Sequence, residues 1–500
     1  MIYSTGMRSA VCIAALIAGS AANADVTAAQ VWEDWKAQLA IYGEDNLTIG
    51  AEETSSGTVT VRDLGLRVSD DDVTAEMTME AITFNEQSDG SVRVTMDESY
   101  PMVVTGDDGV VITINVSQQN MEMIVSGDPD AMDYEVTADQ YMIALEDVVD
   151  GDVTFTGDAE IAMNDVDLTY QTTVSDLRNI SYGGTIASVD VLVDFQIPGG
   201  GGEYVTGGGK MVGLTTQAEM AVPLDANFED PDSLVNDGFA MAGGYTIDSA
   251  DYIFDVNADG DQASGSISMG ASMLTGEMNS DTVGYTSKTD DIALNFVSGD
   301  LPLPVELSLA QYGINFLMPM GAADEASDFA IGFDLIDLNI SDAIWNMFDG
   351  GSVLPRDPAT IQLAVSGKAK ALFDMFDPSQ QDAINDAEMP YELESVSIDT
   401  LNINAAGAMV TGDGAFTFDS SDMQSFAPLP RPEGEASVEI TGFNALLDNV
   451  VAMGLVPEQD VMGARMMMGM FARSTGDDKM ETSVEVLPNG QVNVNGNRVR

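Results

Sequence analysis

Across residues 73–96 the apolar positions fall on every second residue. Val73, Ala75, Met77, Met79 and Ala81 alternate with Thr74, Glu76, Thr78 and Glu80, and after Asp89-Gly90 the alternation resumes at Val92, Val94 and Met96. A period of two interrupted by an Asp-Gly pair predicts a β-hairpin with one apolar and one acidic face. Residues 47–197 repeat this device almost throughout. Thr58 to Val68 alternates and changes phase at Arg62-Asp63, which predicts a β-bulge. Loop signals such as Asp107-Asp108-Gly109 and Asp128-Pro129 separate the runs. This spacing suits an antiparallel meander and leaves no room for βαβ units.

Helical spacing is confined to a few places. Trp32, Trp35, Leu39 and Tyr42 form one stripe, Thr27 and Gln30 offer a capping box, and Gly43 is placed as a stop. Two of the three tryptophans share that stripe, so the helix is expected to bury against a sheet's apolar face. Later, Asp342 to Asp349 after Ser341, Ala369 to Phe376 before Pro378, and the pair Phe443 to Met453 and Pro457 to Ala472 read as short helices. A last hairpin turns at Asn489-Gly490. Residues 198–209, PGGGGEYVTGGG, form the sharpest compositional break and read as a hinge. They are not a phosphate loop, because Met211 follows Lys210 where that loop needs Ser or Thr.

The expected fold is therefore mainly β: large curved antiparallel sheets in two strand-rich halves, with an N-terminal helix and a few short C-terminal helices. The organisation is a signal peptide at 1–24, a helix and β-meander at 25–198, a Gly-rich hinge at 199–209, and a second β half at 210–500 ending in a helical hairpin and a β-hairpin. Such strands give a continuous apolar face for which the helices provide little cover. The expected outcome is that the sheets fold over and bury it; the alternative is an open groove lined by Met, Val and Leu.

Arg8, the apolar run from Ala10 to Ala18 and Ala22-Asn23-Ala24 have the form of a secretory signal cleaved after Ala24, which points to the periplasm. Cys12, the only cysteine, lies inside that segment. The chain has no histidine, which removes histidine-based acid–base and triad chemistry and the usual zinc sites. With 17 basic and 83 acidic side chains the formal net charge is −66, so nucleic acid and anionic lipid surfaces repel it. Hydrophobic residues reach 45%, enough for a folded chain.

Three constellations could carry chemistry. Asp255, Asn257, Asp259 and Asp261 place side-chain oxygens at alternate positions with Gly260 at the turn, like the first half of a calcium loop. Ser266 stands where the bidentate glutamate belongs, so an acidic hairpin turn is the preferred reading, and calcium is the only cofactor put forward. Met462, Met466, Met467, Met468 and Met470 could ligate Cu(I), but on a helix they read as adaptable core packing. Paired acids such as Glu33-Asp34 or Asp70-Asp71-Asp72 carry no diagnostic weight in so acidic a chain.

The stretch Ile344-Trp345-Asn346-Met347-Phe348-Asp349, followed by Leu354-Pro355-Arg356-Asp357-Pro358-Ala359-Thr360, resembles the recurrent motif of an uncharacterised domain-of-unknown-function family of exported alphaproteobacterial proteins. GLVPEQDVMGARMMMGMFA and VEVLPNGQVNVNG are similar to that family too, and the likeness extends over the mature chain. The last tenth also resembles the ends of YdgA-like and AsmA-like envelope proteins. None of these families assigns catalytic residues here. The expected function is a non-catalytic envelope protein that scaffolds or holds an apolar, lipid-like ligand in the periplasm; the alternative is an acidic calcium-dependent adhesion or surface protein.

Overall fold

The computed structural model describes residues 26–39, 46–69, 73–151, 153–196, 202–224, 235, 237–258, 260–387 and 389–500. The signal segment, Tyr42 and Gly43, the acids at 70–72, residues 198–201 and Asp259 lie outside the described residues. Strand makes up 65% of the structure and helix 12%, so a sheet dominates the architecture.

Helix α1 (Ala28–Leu39) leads into β1 (Leu47–Ser55), β2 (Thr58–Ser69), β3 (Val73–Glu86), β4 (Val92–Met96), β5 (Ser99–Gly106), β6 (Val111–Gln119), β7 (Glu122–Asp128) and β8 (Ala131–Asp150). Then come β9 (Val153–Val174), β10 (Leu177–Gln196), β11 (Tyr204–Pro223), β12 (Ala240–Ile247), β13 (Ser249–Ala258), β14 (Asp261–Met269), β15 (Ser272–Met278), β16 (Thr282–Ser298), β17 (Val305–Pro319) and β18 (Ser327–Ile340). Helix α2 (Asp342–Phe348), β19 (Ala359–Ala371), α3 (Gln381–Asp386), β20 (Tyr391–Ala405), β21 (Ala408–Asp419) and β22 (Arg431–Thr441) follow. The chain closes with α4 (Phe443–Ala452), α5 (Glu458–Phe471), β23 (Arg473–Gly476), β24 (Lys479–Val486), β25 (Val492–Val494) and β26 (Asn497–Arg498).

All of these strands belong to one antiparallel sheet. It is largely a meander in which most strands pair with their neighbours in sequence. At β3 the partner strand is interrupted: β4 takes one half of its edge and β5 the other, β7 and β6 pair with those, and β8 spans both. The arrangement repeats at β11, where β12 and β13 share the edge, β15 and β14 pair with them, and β16 spans both.

The division into two halves at a hinge does not hold for the described part of the Gly-rich stretch. Gly207, Gly208 and Gly209 lie inside β11, paired with Val193, Leu192 and Val191 of β10 and with Phe254, Ile253 and Tyr252 of β13. Their smallness serves packing: a β-carbon on Gly209 would run into the Asp251 carbonyl and the Tyr252 ring, which lies over the glycine. A glycine run inside a strand has the composition of a linker, and only its cross-strand partners tell the two apart.

α1 forms as expected. The Thr27 amide donates to Gln30 Oε1 at 2.9 Å and the Gln30 amide to Thr27 Oγ1 at 3.3 Å, closing the capping box. Trp32 is 2% exposed and packs on Phe84 with ring centroids 5.7 Å apart, and Trp35 meets the same ring edge-on at 5.3 Å. With Val59, Val61, Ile82, Val94 and Val125 they form the main core. The predicted helix over Ala369–Phe376 is absent; Ala369–Ala371 ends β19 and the helical turn begins at Pro378, with Asp377 as its cap. A β-branched, alternating stretch kept its ladder up to Ala371, and the proline set the helix start.

Candidate functional site

Directly paired residues of an antiparallel sheet share a face, so the register assigns side chains to faces. One row runs Tyr100, Val116, Ile143, Ile161, Val191, Gly209, Tyr252, Ile267, Leu294, Leu307, Ile340, from β5 to β18 without a polar member. Nearer the other strand ends, Val92, Val125, Tyr134, Tyr170 and Tyr182 start a row that continues through Tyr285, Phe316, Ile331, Val365 and Ile398. The alternate positions give the opposite character: Asp133, Gln171, Ser181, Glu219, Ala242 and Glu277 also pair in sequence. One face is apolar over most of the sheet, and the other carries much of the acid.

Between the two apolar rows the sheet is creased. Asp63 in β2, Asp165 in β9, Gly213 in β11, Asp291 in β16 and Asp337 in β18 all have positive φ. The pairing steps over Asp165 and Ala187 between β9 and β10, and over Asp291 and Ala310 between β16 and β17. The breaks between β4 and β5, β6 and β7, β12 and β13, and β14 and β15 fall on the same line across the strands. Each bulge bends its strand, and bulges aligned across neighbours fold the sheet along one axis. Aspartate tolerates the left-handed backbone that a bulge requires. At Gly213, φ +71°, a β-carbon would also strike the Asp248 side chain.

Amide side chains brace the polar side of this line: Gln119 Nε2 donates to Gln140 Oε1 at 3.1 Å, Gln140 Nε2 to Asn164 Oδ1 at 3.0 Å, and Asn164 Nδ2 to Asp190 Oδ2 at 2.7 Å. On the apolar side, residues along the crease are the best covered: Val166 and Ile186 are 7% exposed and cluster with Tyr141, Met163 and Leu214 from both sides of the line. Farther out, Tyr182 is 41% and Ile331 48% exposed. The apolar face is thus the inside of a groove with a covered floor and open walls. Burial by a second layer, the outcome expected from sequence, is not what the chain adopts. α1 covers the groove only near its first strands, where Asp34 accepts hydrogen bonds from Arg178 Nη1 at 2.9 Å and the Tyr134 hydroxyl at 3.1 Å, and Tyr170 donates to Gln38. Burial, reinforced by the Asp34 charge, raises the Tyr134 phenol pKa. Asp34 is thus the helix's anchor to the sheet.

Beyond α1, from β10 to β18, no other described element covers the groove over about 29 Å, at about 4.8 Å per strand. Two shallow hollows lie elsewhere: one of 340 Å³ with a mixed lining that includes Gln171, Glu219, Met220, Met241 and Glu277, the other of 470 Å³ with a polar lining beside Lys368, Lys370, Glu392 and Glu394.

Of the four residues read as calcium ligands, Asp255 and Asn257 share the polar face of β13, whereas Asp261 pairs with Ala258 and so projects from the other face. Asp255 Oδ1 accepts the Tyr204 hydroxyl at 3.0 Å, which raises that phenol's pKa, and Asn257 Nδ2 donates to the Gly202 carbonyl at 3.1 Å. The hairpin brings two of the three described ligands together and turns the third away. Among the described residues no group of three or more His, Cys, Asp or Glu is placed to hold a metal ion. The methionines on α5 are not core: Met462, Met466, Met467 and Met470 are exposed, and Val461 is the buried residue of that helix. Periodicity marks an apolar face but does not say whether anything lies on it.

The motif around α2 is a polar knot. The Asp349 carboxylate accepts the Val353 and Leu354 amides, both at 2.9 Å, while Arg356 donates to Asp342 at 2.5 Å, Asn346 at 2.7 Å, the Asp349 carbonyl at 3.1 Å and Ser352 at 3.0 Å. Its guanidinium also lies over Trp345. The Val353 amide first, then the Leu354 amide and Arg356, hold Asp349 below the usual carboxylate range against the effect of burial. Residues 210–496, which include this knot and the later strands, match a family of uncharacterised proteins conserved in bacteria (DUF2125). The chain belongs to this family. The DUF2125 match opens within β11 and closes in the turn between β25 and β26, a narrower span than the whole mature chain that the motif resemblance implies. No curated protein and no solved structure is detectably similar to the chain.

Proposed function

We propose that this DUF2125 protein is an exported, non-catalytic envelope protein that holds an apolar, lipid-like ligand along its groove. The observation that carries the reading is the uncovered inner face: rows of Tyr, Phe, Ile and Val continue across the strands, yet side chains such as Tyr182 and Ile331 keep nearly half their surface open. Exposed apolar area of this extent favours an occupant. Branched, aromatic and thioether walls accept an acyl chain without demanding one shape. The form of the first 24 residues supports a periplasmic setting. The calcium-dependent adhesion alternative has less support, because of the three described residues of that hairpin Asp261 faces away from Asp255 and Asn257.

The test is to isolate the protein from its native envelope without detergent, extract it with organic solvent, and titrate the delipidated protein with a fluorescent fatty acid. Near-stoichiometric lipid and saturation at micromolar probe are expected, with Tyr182→Asp and Phe316→Asp together weakening the probe at least tenfold. No recovered lipid and no saturation would overturn the reading.

A further inference from the structure

Helix α5 exposes an apolar stripe that the groove does not account for. Met462, Met466 and Met470 recur every four residues, with Met467 and Phe471 beside them, and all five are between 60 and 72% exposed. Leu455, just ahead of the helix, is equally open at 60%. The helix is fastened by its other side: Val461 is buried, and Arg465 donates to the Asn444 carbonyl at 3.1 Å and to Asp448 at 2.6 Å, tying α5 to α4. The stripe is therefore held outward.

Charge singles out the same end of the molecule. Residues 455–500 carry five basic and six acidic side chains, whereas the whole chain carries 17 and 83. The last 46 residues are close to neutral in a protein repelled elsewhere by any anionic surface. α1 fills the groove at its first strands, and α5 sits in the connection between β22 and β24, among the last strands of the ladder. An acyl chain pays for every methylene it exposes to water, so a groove that holds one is best loaded from an apolar phase in contact with the protein.

We propose that the α5 stripe docks on a lipid bilayer surface, inserting its methionines and Phe471 at the headgroup boundary so that lipid enters the groove from the late-strand end. The inference rests on the lipid-holding reading for its purpose, and on the stripe and the charge distribution for its site. Thioether side chains adapt to a disordered bilayer edge as they do to variable partners. The near-neutral charge fits a zwitterionic membrane, and raising the anionic lipid content weakens the contact.

The experiment uses the full mature protein and vesicles of phosphatidylethanolamine and phosphatidylcholine. Flotation of the parent with the vesicles is expected, reduced at least tenfold in the Met466→Glu, Met470→Glu double variant. In a second arm, Met466→Cys carrying an environment-sensitive fluorophore should shift to the blue when vesicles are added. Equal flotation of parent and double variant, or a label that does not shift, would overturn the proposal. Titration with the soluble fluorescent fatty acid separates the two readings. Undiminished probe binding by the double variant beside lost flotation supports docking at α5, whereas a blue shift without any fatty-acid binding keeps the docking and removes the groove.

Discussion

The carboxylates of this chain differ in what they do, and residue type alone does not reveal which is which. Glu33 pairs with Lys36 at 2.7 Å on the surface, while its neighbour Asp34 joins Arg178 with side-chain exposures of 9 and 13%. Asp349 fixes a turn through two backbone amides. Its folded pKa lies below the unfolded value of about 3.9, so its contribution is fully present above that pH and is lost as pH falls through the folded value. Acid titration from about pH 5 downward should therefore change Trp345 emission as the α2 knot loosens, followed in a variant in which the other tryptophans are replaced by phenylalanine. In Asp349→Asn that acid-dependent component should vanish, and an unchanged profile would show that the carboxylate does not hold the knot.

At the scale of elements, α1 is where stability concentrates, because it is the helix with a deeply buried face on the sheet. Trp32→Ala should lower the unfolding free energy by about 3–5 kcal/mol, the range for removing a large core side chain. Trp35→Ala should cost less, since Trp35 is only partly buried. Chemical denaturation of both variants checks the order. Helix α1, its capping box, the bulge at Asp63 and the Asn489-Gly490 hairpin were all legible in the sequence, because each depends on residues within a few positions of one another. The role of Gly207–Gly209 was not, because a glycine that makes room for a ring on the next strand looks the same as a glycine in a linker.

For the whole molecule, a formal charge of −66 on a sheet without a second layer makes self-repulsion a main opponent of folding. Raising sodium chloride from about 10 mM to about 150 mM shortens the Debye length from about 30 Å to about 8 Å and should raise the melting temperature by several degrees. Calcium, compared at equal ionic strength, should shift the parent and Asp255→Ala alike, as general screening does. A shift confined to the parent would restore the hairpin as a calcium site.

What the sequence determined by itself was the period: alternation sets strands, an acidic face and an apolar face, and the helix stripe sets where a cover could dock, because these follow from local geometry. The tertiary structure decided the rest. Whether the apolar face closes on a second sheet depends on where bulges in separate strands line up, and Asp63, Asp165, Asp291 and Asp337 align only once every register between them is set. The same holds for the exposed methionines of α5. A periodic apolar stripe is written in the chain, but the presence or absence of a partner surface is a property of the assembled sheet.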